Sequence, residues 1–250
     1  DFVRQWFDSL LPIMLLIAGG WLIVQVAGVD VAGAVQAVFM PLQSALTSPV
    51  GFVFFCFLKC FIYSMGISTW VLTPVDEPVK LAVIAANLEL VAAGIATYQN
   101  LGVFTETFMF CTYLWIGGVG CTLSLCLLMM FICKSSELKA LGRACVVPGI
   151  FNINEPIIFG AIAWNPLLML PMWLQGIILP IVTYIFTKVI PFAPIPRIQF
   201  DLWYCPYPIS TFIATQGSIT GVIFAILTFV LSAVIWFPFV KAYDDQKVKE

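Results

Sequence analysis

The chain has 250 residues, 62% hydrophobic and 10% charged, with a mean hydropathy of +1.04. A soluble domain carries about 25% charged residues, so this composition excludes an ordinary water-solvated globule and implies a chain solvated by lipid. The net charge of −2, with no basic block, excludes nucleic acid as a partner. Eight scattered Cys and no His exclude a metal-ligand pattern, so the cysteines read as small buried hydrophobes and no metal or cofactor is expected.

The expected class is an all-α polytopic membrane protein whose helices are interrupted by discontinuous or re-entrant hairpins. The chain opens at Asp1 on an amphipathic stretch, Phe2-Val3-Arg4-Gln5-Trp6-Phe7-Asp8, and is expected to continue a longer protein. A span needs about 20 apolar residues. Ser9 to Gly28 is the first, and Val31 to Leu46 reads as a connector along the interface. Pro49 to Leu72 is the next span and carries Lys59, which either snorkels or pairs with a carboxylate. Asp76, Glu77 and Lys80 mark a polar junction before a shorter apolar stretch, Leu81 to Ala96, that contains Asn87 and Glu89. Phe104 to Cys133 is a long span broken by Gly117-Gly118-Val119-Gly120, where small residues permit close backbone approach. Lys134 to Arg143 reads as a charged loop, Pro166 to Ile190 as a span, and Pro191 to Pro208 as a loop. Ile209 to Gln216 reads as re-entrant, Ser218 to Val240 as the last span, and Lys241 to Glu250 as a charged tail. Lys and Arg concentrate in the 134–143 segment and the tail, which predicts a cytoplasmic C-terminus.

The segment Gly149-Ile150-Phe151-Asn152-Ile153-Asn154-Glu155-Pro156-Ile157-Ile158-Phe159-Gly160 stands out against this background. A carboxylate at bilayer depth costs from a few kcal/mol upward, so it normally faces a cavity, a partner or a substrate. Pro148 and Pro156 predict a break in the helix here. Several other segments also break at Gly or Pro beside polar residues, the pattern of a transporter site built from discontinuous helices.

The same segment resembles the signature of the membrane (EIIC) subunits of the bacterial phosphotransferase system (PTS), lactose/cellobiose/chitobiose branch. Asn165-Pro166-Leu167-Leu168-Met169-Leu170-Pro171, Trp203-Tyr204-Cys205-Pro206-Tyr207-Pro208-Ile209-Ser210 and Trp236-Phe237-Pro238-Phe239-Val240-Lys241-Ala242-Tyr243-Asp244 resemble further motifs of that family. Upstream, Gly66-Ile67-Ser68, Pro74, Pro78, Asn87 and the Ile116 to Leu123 segment fall in the same order. The resemblance implies a chain in two parts. Residues 1–48 would be a last scaffold-side span with an amphipathic connector, and 49–250 a substrate-binding domain with broken-helix elements near 145–165 and 203–217. It implies a sugar-translocating subunit for a disaccharide of the cellobiose, lactose or diacetylchitobiose type. That subunit would be a homodimer in the bacterial plasma membrane, presenting the sugar to a phosphorylated EIIB partner that is itself supplied by EIIA.

By the resemblance, Glu155 is the residue that meets the hydroxyl receiving phosphate, a task suited to a proton-accepting carboxylate. Asn152 and Asn154 either fix the broken loop or meet sugar hydroxyls. Trp203 matches a pocket tryptophan, whose flat face suits a pyranose ring. Tyr63 stands at a family Trp, Gly66 and Ser68 at a Gly-Ile-His-Gly segment, and Asn87 in the downstream match. Trp115 either lines the same pocket or packs against neighbouring structure. Ser68 is a departure, because it replaces the family's histidine with a group that holds no proton near neutral pH. Two readings stay open on that ground: a phosphorylating transport subunit, or a relative that binds a sugar or a protein without catalysis.

Overall fold

The computed structural model describes residues 2–28 and 41–249, all of whose regular structure is helical. Contacts divide the chain into two units, Asp1–Gln43 and Ser44–Glu250. The first contains α1 (Phe2–Ala27), which runs unbroken through Pro12. Residues 31–40 of the expected connector lie outside the described residues.

A short α2 (Pro41–Thr47), which crosses the boundary between the units, and α3 (Pro49–Ser64) meet at 88°. Ser48 makes this break: its hydroxyl accepts from Gly51 N at 3.0 Å, and Pro49 occupies the first turn, where no N–H is needed. A 3₁₀ turn (Thr69–Leu72) leads into α4 (Thr73–Ala92). The expected long span 104–133 is two pieces. α5 (Glu106–Phe108) continues as a π turn (Met109–Tyr113), and α6 (Thr122–Phe131) follows a loop in which Gly117, Gly118, Gly120 and Cys121 all have positive φ.

The charged segment expected to be a loop over 134–143 is instead the start of α7 (Ser136–Ile150), capped by Ser135. Its polar residues form the exposed side of a helix that packs on α6. α7 also passes through Pro148 and ends at Ile150, two residues before Asn152, whose φ of +60° is the left-handed turn that closes a helix. α8 (Glu155–Ile157) begins three residues later and runs into a π turn (Ile158–Ile162). α9 (Pro166–Tyr184) is capped by Asn165 and ends in a π turn (Ile185–Val189). α10 (Ile209–Ala214) is the short element of the expected re-entrant segment. α11 (Ile219–Lys247) extends past the expected end of the last span at Val240 and through most of the charged tail. Asp244, 4% exposed, explains this extension: its carboxylate accepts from Lys134 N at 2.7 Å and Ser135 N at 2.8 Å, docking the end of α11 onto the start of α7.

Among the described residues, two helices, Pro166–Val189 and Ile219–Lys247, are long and apolar enough to cross a membrane, and three if the bent α2–α3 pair counts as one span. α3 packs on α9, and α11 on α9 and α6. The α3–α9 contact depends on Gly176, where an added Cβ would lie 2.8 Å from Phe57 Cα. Polar side chains staple the core: Ser124 and Ser232 hydroxyls pair at 2.8 Å, and Gln175 Nε2 donates to Ser232 O at 3.0 Å. Seven of the eight cysteines are buried and all are free thiols.

Candidate functional site

The breaks in α5–α6 and α7–α8 face each other, and two carboxamides bolt them together. Asn152 Oδ1 accepts from Gly117 N at 2.7 Å, while its Nδ2 donates to Trp203 O. Asn154 Nδ2 donates to Val119 O at 2.9 Å, and its Oδ1 accepts from the Tyr63 hydroxyl at 3.3 Å. Both Asn are 5% exposed. They satisfy the backbone groups that the broken helices leave free, so a large part of their bonding capacity goes to the loops. Gly118 lies against Asn154: at φ +89°, a Cβ there would sit 2.5 Å from Asn154 Cγ. Gly118→Ala is therefore expected to destabilise the protein by about 2 kcal/mol through backbone strain alone, and more through the clash. A melting temperature equal to that of the wild type would show that the two loops are not held in this register.

These loops enclose a cavity of about 290 Å³, at the lower end of the range for small-molecule sites. Glu155, Asn152, Asn154, Tyr63 and Trp203 all line it. Glu155 opens α8 and is exposed, with the Tyr63 hydroxyl close enough to interact with it. Phe159 packs edge-on against the Tyr63 ring at 6.3 Å and fixes its orientation.

The other four candidates do not line the cavity. Ser68 is exposed, and its hydroxyl accepts from Trp70 N at 3.4 Å, opening the 3₁₀ turn whose Thr69 and Trp70 do line it. Gly66 turns the chain out of α3 at φ +76°, beside the Trp164 indole. Asn87 clamps Gly102 through both backbone groups, at 2.7 Å and 2.8 Å. Trp115 is fully buried, with its ring centroid 6.5 Å from that of Phe110.

Sequence reasoning missed one wall of the cavity. Asp76, fully buried, pairs with Lys59 at 2.7 Å and Lys80 at 3.5 Å. Lys80 Nζ also lies 2.6 Å from both Glu77 and Glu106. The network joins α3, α4 and α5, and all of its members except Asp76 line the cavity. Asp76 and Glu77 read as part of a polar junction, yet Asp76 is the buried centre of this network. Glu106 faces the same cavity as Glu155. The one available signal was Lys59 itself: an ammonium in a run of Phe and Cys demands a carboxylate, although spacing along the chain does not name which one. In the lining, two ammoniums face four carboxylates (Glu77, Glu106, Glu155 and Asp201), so the site is anionic on balance.

A family model described as "Phosphotransferase system, EIIC" matches residues 1–176. The PTS lactose-specific EIICB component of Lactococcus lactis subsp. lactis is 33% identical over 256 residues, 99% of this chain and 44% of that protein. The PTS cellobiose-specific EIIC component of Geobacillus stearothermophilus is 40% identical over 149 residues, 59% of this chain and 33% of that one. A crystal structure of the transporter ChbC, the IIC component of the N,N'-diacetylchitobiose-specific phosphotransferase system, has a TM-score of 0.78 at 30% identity. That likeness covers 98% of this chain and 57% of ChbC. The chain thus spans about half the length of the relatives it matches. A family model covering most of the sequence and an overall likeness to a solved IIC structure make this chain a member of the EIIC family of phosphotransferase-system membrane proteins.

Proposed function

We propose that this chain forms the sugar-binding part of a phosphotransferase permease for a disaccharide of the cellobiose, lactose or diacetylchitobiose type, presenting the sugar to a phosphorylated EIIB partner. The observation that carries this reading is the convergence of Glu155, Tyr63, Trp203, Asn152 and Asn154 on one cavity. Trp203 and Trp70 supply flat apolar faces, and the carboxylates accept hydroxyl protons, the combination a pyranose requires. Glu155 orients the hydroxyl that attacks the phosphoryl group, so the chain contributes positioning rather than covalent chemistry. The anionic wall suits a neutral sugar and repels the phosphorylated product, which favours release after transfer.

The likeness to EIICB components supports EIIB as a partner, with EIIA upstream of it, and the family resemblance extends the assembly to a homodimer. Residues 49–250 form the substrate-binding domain, and 1–48 belong to the scaffold side. In the multi-pass bacterial plasma membrane, the C-terminus is cytoplasmic. The basic residues of the 134–143 segment and of the tail lie at one end of the unit, joined by Asp244 and by Lys247–Glu137 at 3.8 Å.

Titrating cellobiose, lactose and N,N'-diacetylchitobiose into the purified protein, followed by tryptophan fluorescence or calorimetry, tests the reading. Saturable binding of at least one is expected, with sucrose as a negative control. A folded sample that binds none of the three overturns it.

A further inference from the structure

A disaccharide brings many hydroxyl donors into the cavity, and the acceptors still free to meet them are few. Asn152 Oδ1 and Asn154 Oδ1 already accept from Gly117 and Tyr63. Asp201 Oδ2 accepts from Gln199 at 2.5 Å. Glu106 differs. Its Oε2 is gripped by Lys80 Nζ at 2.6 Å, while its Oε1 takes no hydrogen bond among the described residues. Its side chain is 22% exposed and lines the cavity. Lys80 is itself immobilised: its side chain is 6% exposed, and Asp76 and Glu77 hold it from within α4. An ammonium so enclosed has little reach left for a ligand. What it does is fix one oxygen of Glu106 and leave the other turned to the site.

We propose that Glu106 is a second sugar-binding carboxylate of the cavity, alongside Glu155, and that Lys80 is its positioning residue. This inference rests on reading the cavity as a sugar site. Glu155 and Glu106 come from separate broken elements, α8 and α5, so together they read two hydroxyls of one disaccharide and make the spacing between those hydroxyls a determinant of specificity. A flexible pair would adapt to many stereoisomers. A pair in which one member is held by a buried lysine selects among them.

The test is a coupling measurement on the purified protein with cellobiose and its monodeoxy analogues. Glu106→Gln is expected to weaken cellobiose binding about ten- to hundredfold, the scale of one hydrogen bond to a charged acceptor. One deoxy analogue is expected to lose a similar factor against the wild type and almost nothing further against Glu106→Gln. A purely structural role for Glu106 would not produce this non-additivity. Lys80→Gln should weaken binding of the parent sugar and Lys80→Arg should restore most of it, because a guanidinium still holds Oε2. If the wild type binds cellobiose but every deoxy analogue loses affinity equally in wild type and Glu106→Gln, this inference falls and the sugar site stands. If the wild type binds no sugar, both fall.

Discussion

Glu155→Gln is expected to reduce sugar phosphorylation at least a hundredfold while leaving the fold intact. The carboxamide keeps the size of the side chain but replaces a proton acceptor with a donor on one atom. The attacking hydroxyl then has no group to take its proton, a loss typically worth 10²–10⁴ in rate. The fold should tolerate the change, because Glu155 is exposed and the loop around it is held by Asn152 and Asn154 instead. The measurement is sugar-dependent phosphoryl transfer in membranes supplied with EIIA and EIIB, with a melting curve alongside. Unchanged transfer would remove Glu155 from the reaction. The experiment has added force here, because Ser68 supplies no proton-holding group and does not line the cavity.

The largest stability effect is expected at Asp76. Asp76→Ala strips the buried partner from Lys59, itself 4% exposed, and leaves an uncompensated ammonium between the rings of Phe55 and Phe110, each 5.4 Å away. Breaking a buried pair from one side costs about 3–5 kcal/mol, so the melting temperature in detergent should fall by roughly 10 °C. Lys59→Met combined with Asp76→Leu should recover most of the loss, since no charge is then stranded and Lys80 keeps Glu77 and Glu106. A single variant as stable as the wild type would mean that the pair is not formed in the membrane. A double variant no better than the single would mean that the site needs the charges rather than their cancellation.

Much of the architecture was legible in the chain because helix ends have local causes. Ser48 and Asn165 each accept a backbone N–H at the start of a helix and each stands next to a proline, and Ser218 accepts one where the last span was expected to begin. The Gly117-Gly118-Val119-Gly120 break followed from glycine's freedom at positive φ. The readings that failed had tertiary causes. Residues 136–143 look like a loop by charge, but a helix needs only one apolar face, and α6 provides the surface that buries it. The tail beyond Val240 stays helical because Asp244 finds the start of α7, 109 and 110 residues away in sequence.

The candidate site divides along the same line. Asn152, Asn154 and Glu155 could be named in advance because polar residues in so apolar a chain have few reasons to be there, and Trp203 through the resemblance of its motif. The sequence by itself therefore determined the membrane class and the places where the helices break, consequences of local conformation and of the cost of polar groups in lipid. Only the tertiary structure decided that Asn152 and Asn154 bind loops, that Ser68, Gly66, Asn87 and Trp115 lie off the cavity wall, and that Lys59, Glu77, Lys80 and Glu106 form one around a buried Asp76. Pairing between distant charges depends on which helices pack together, and an ammonium in an apolar run requires a carboxylate without specifying where in the chain it lies.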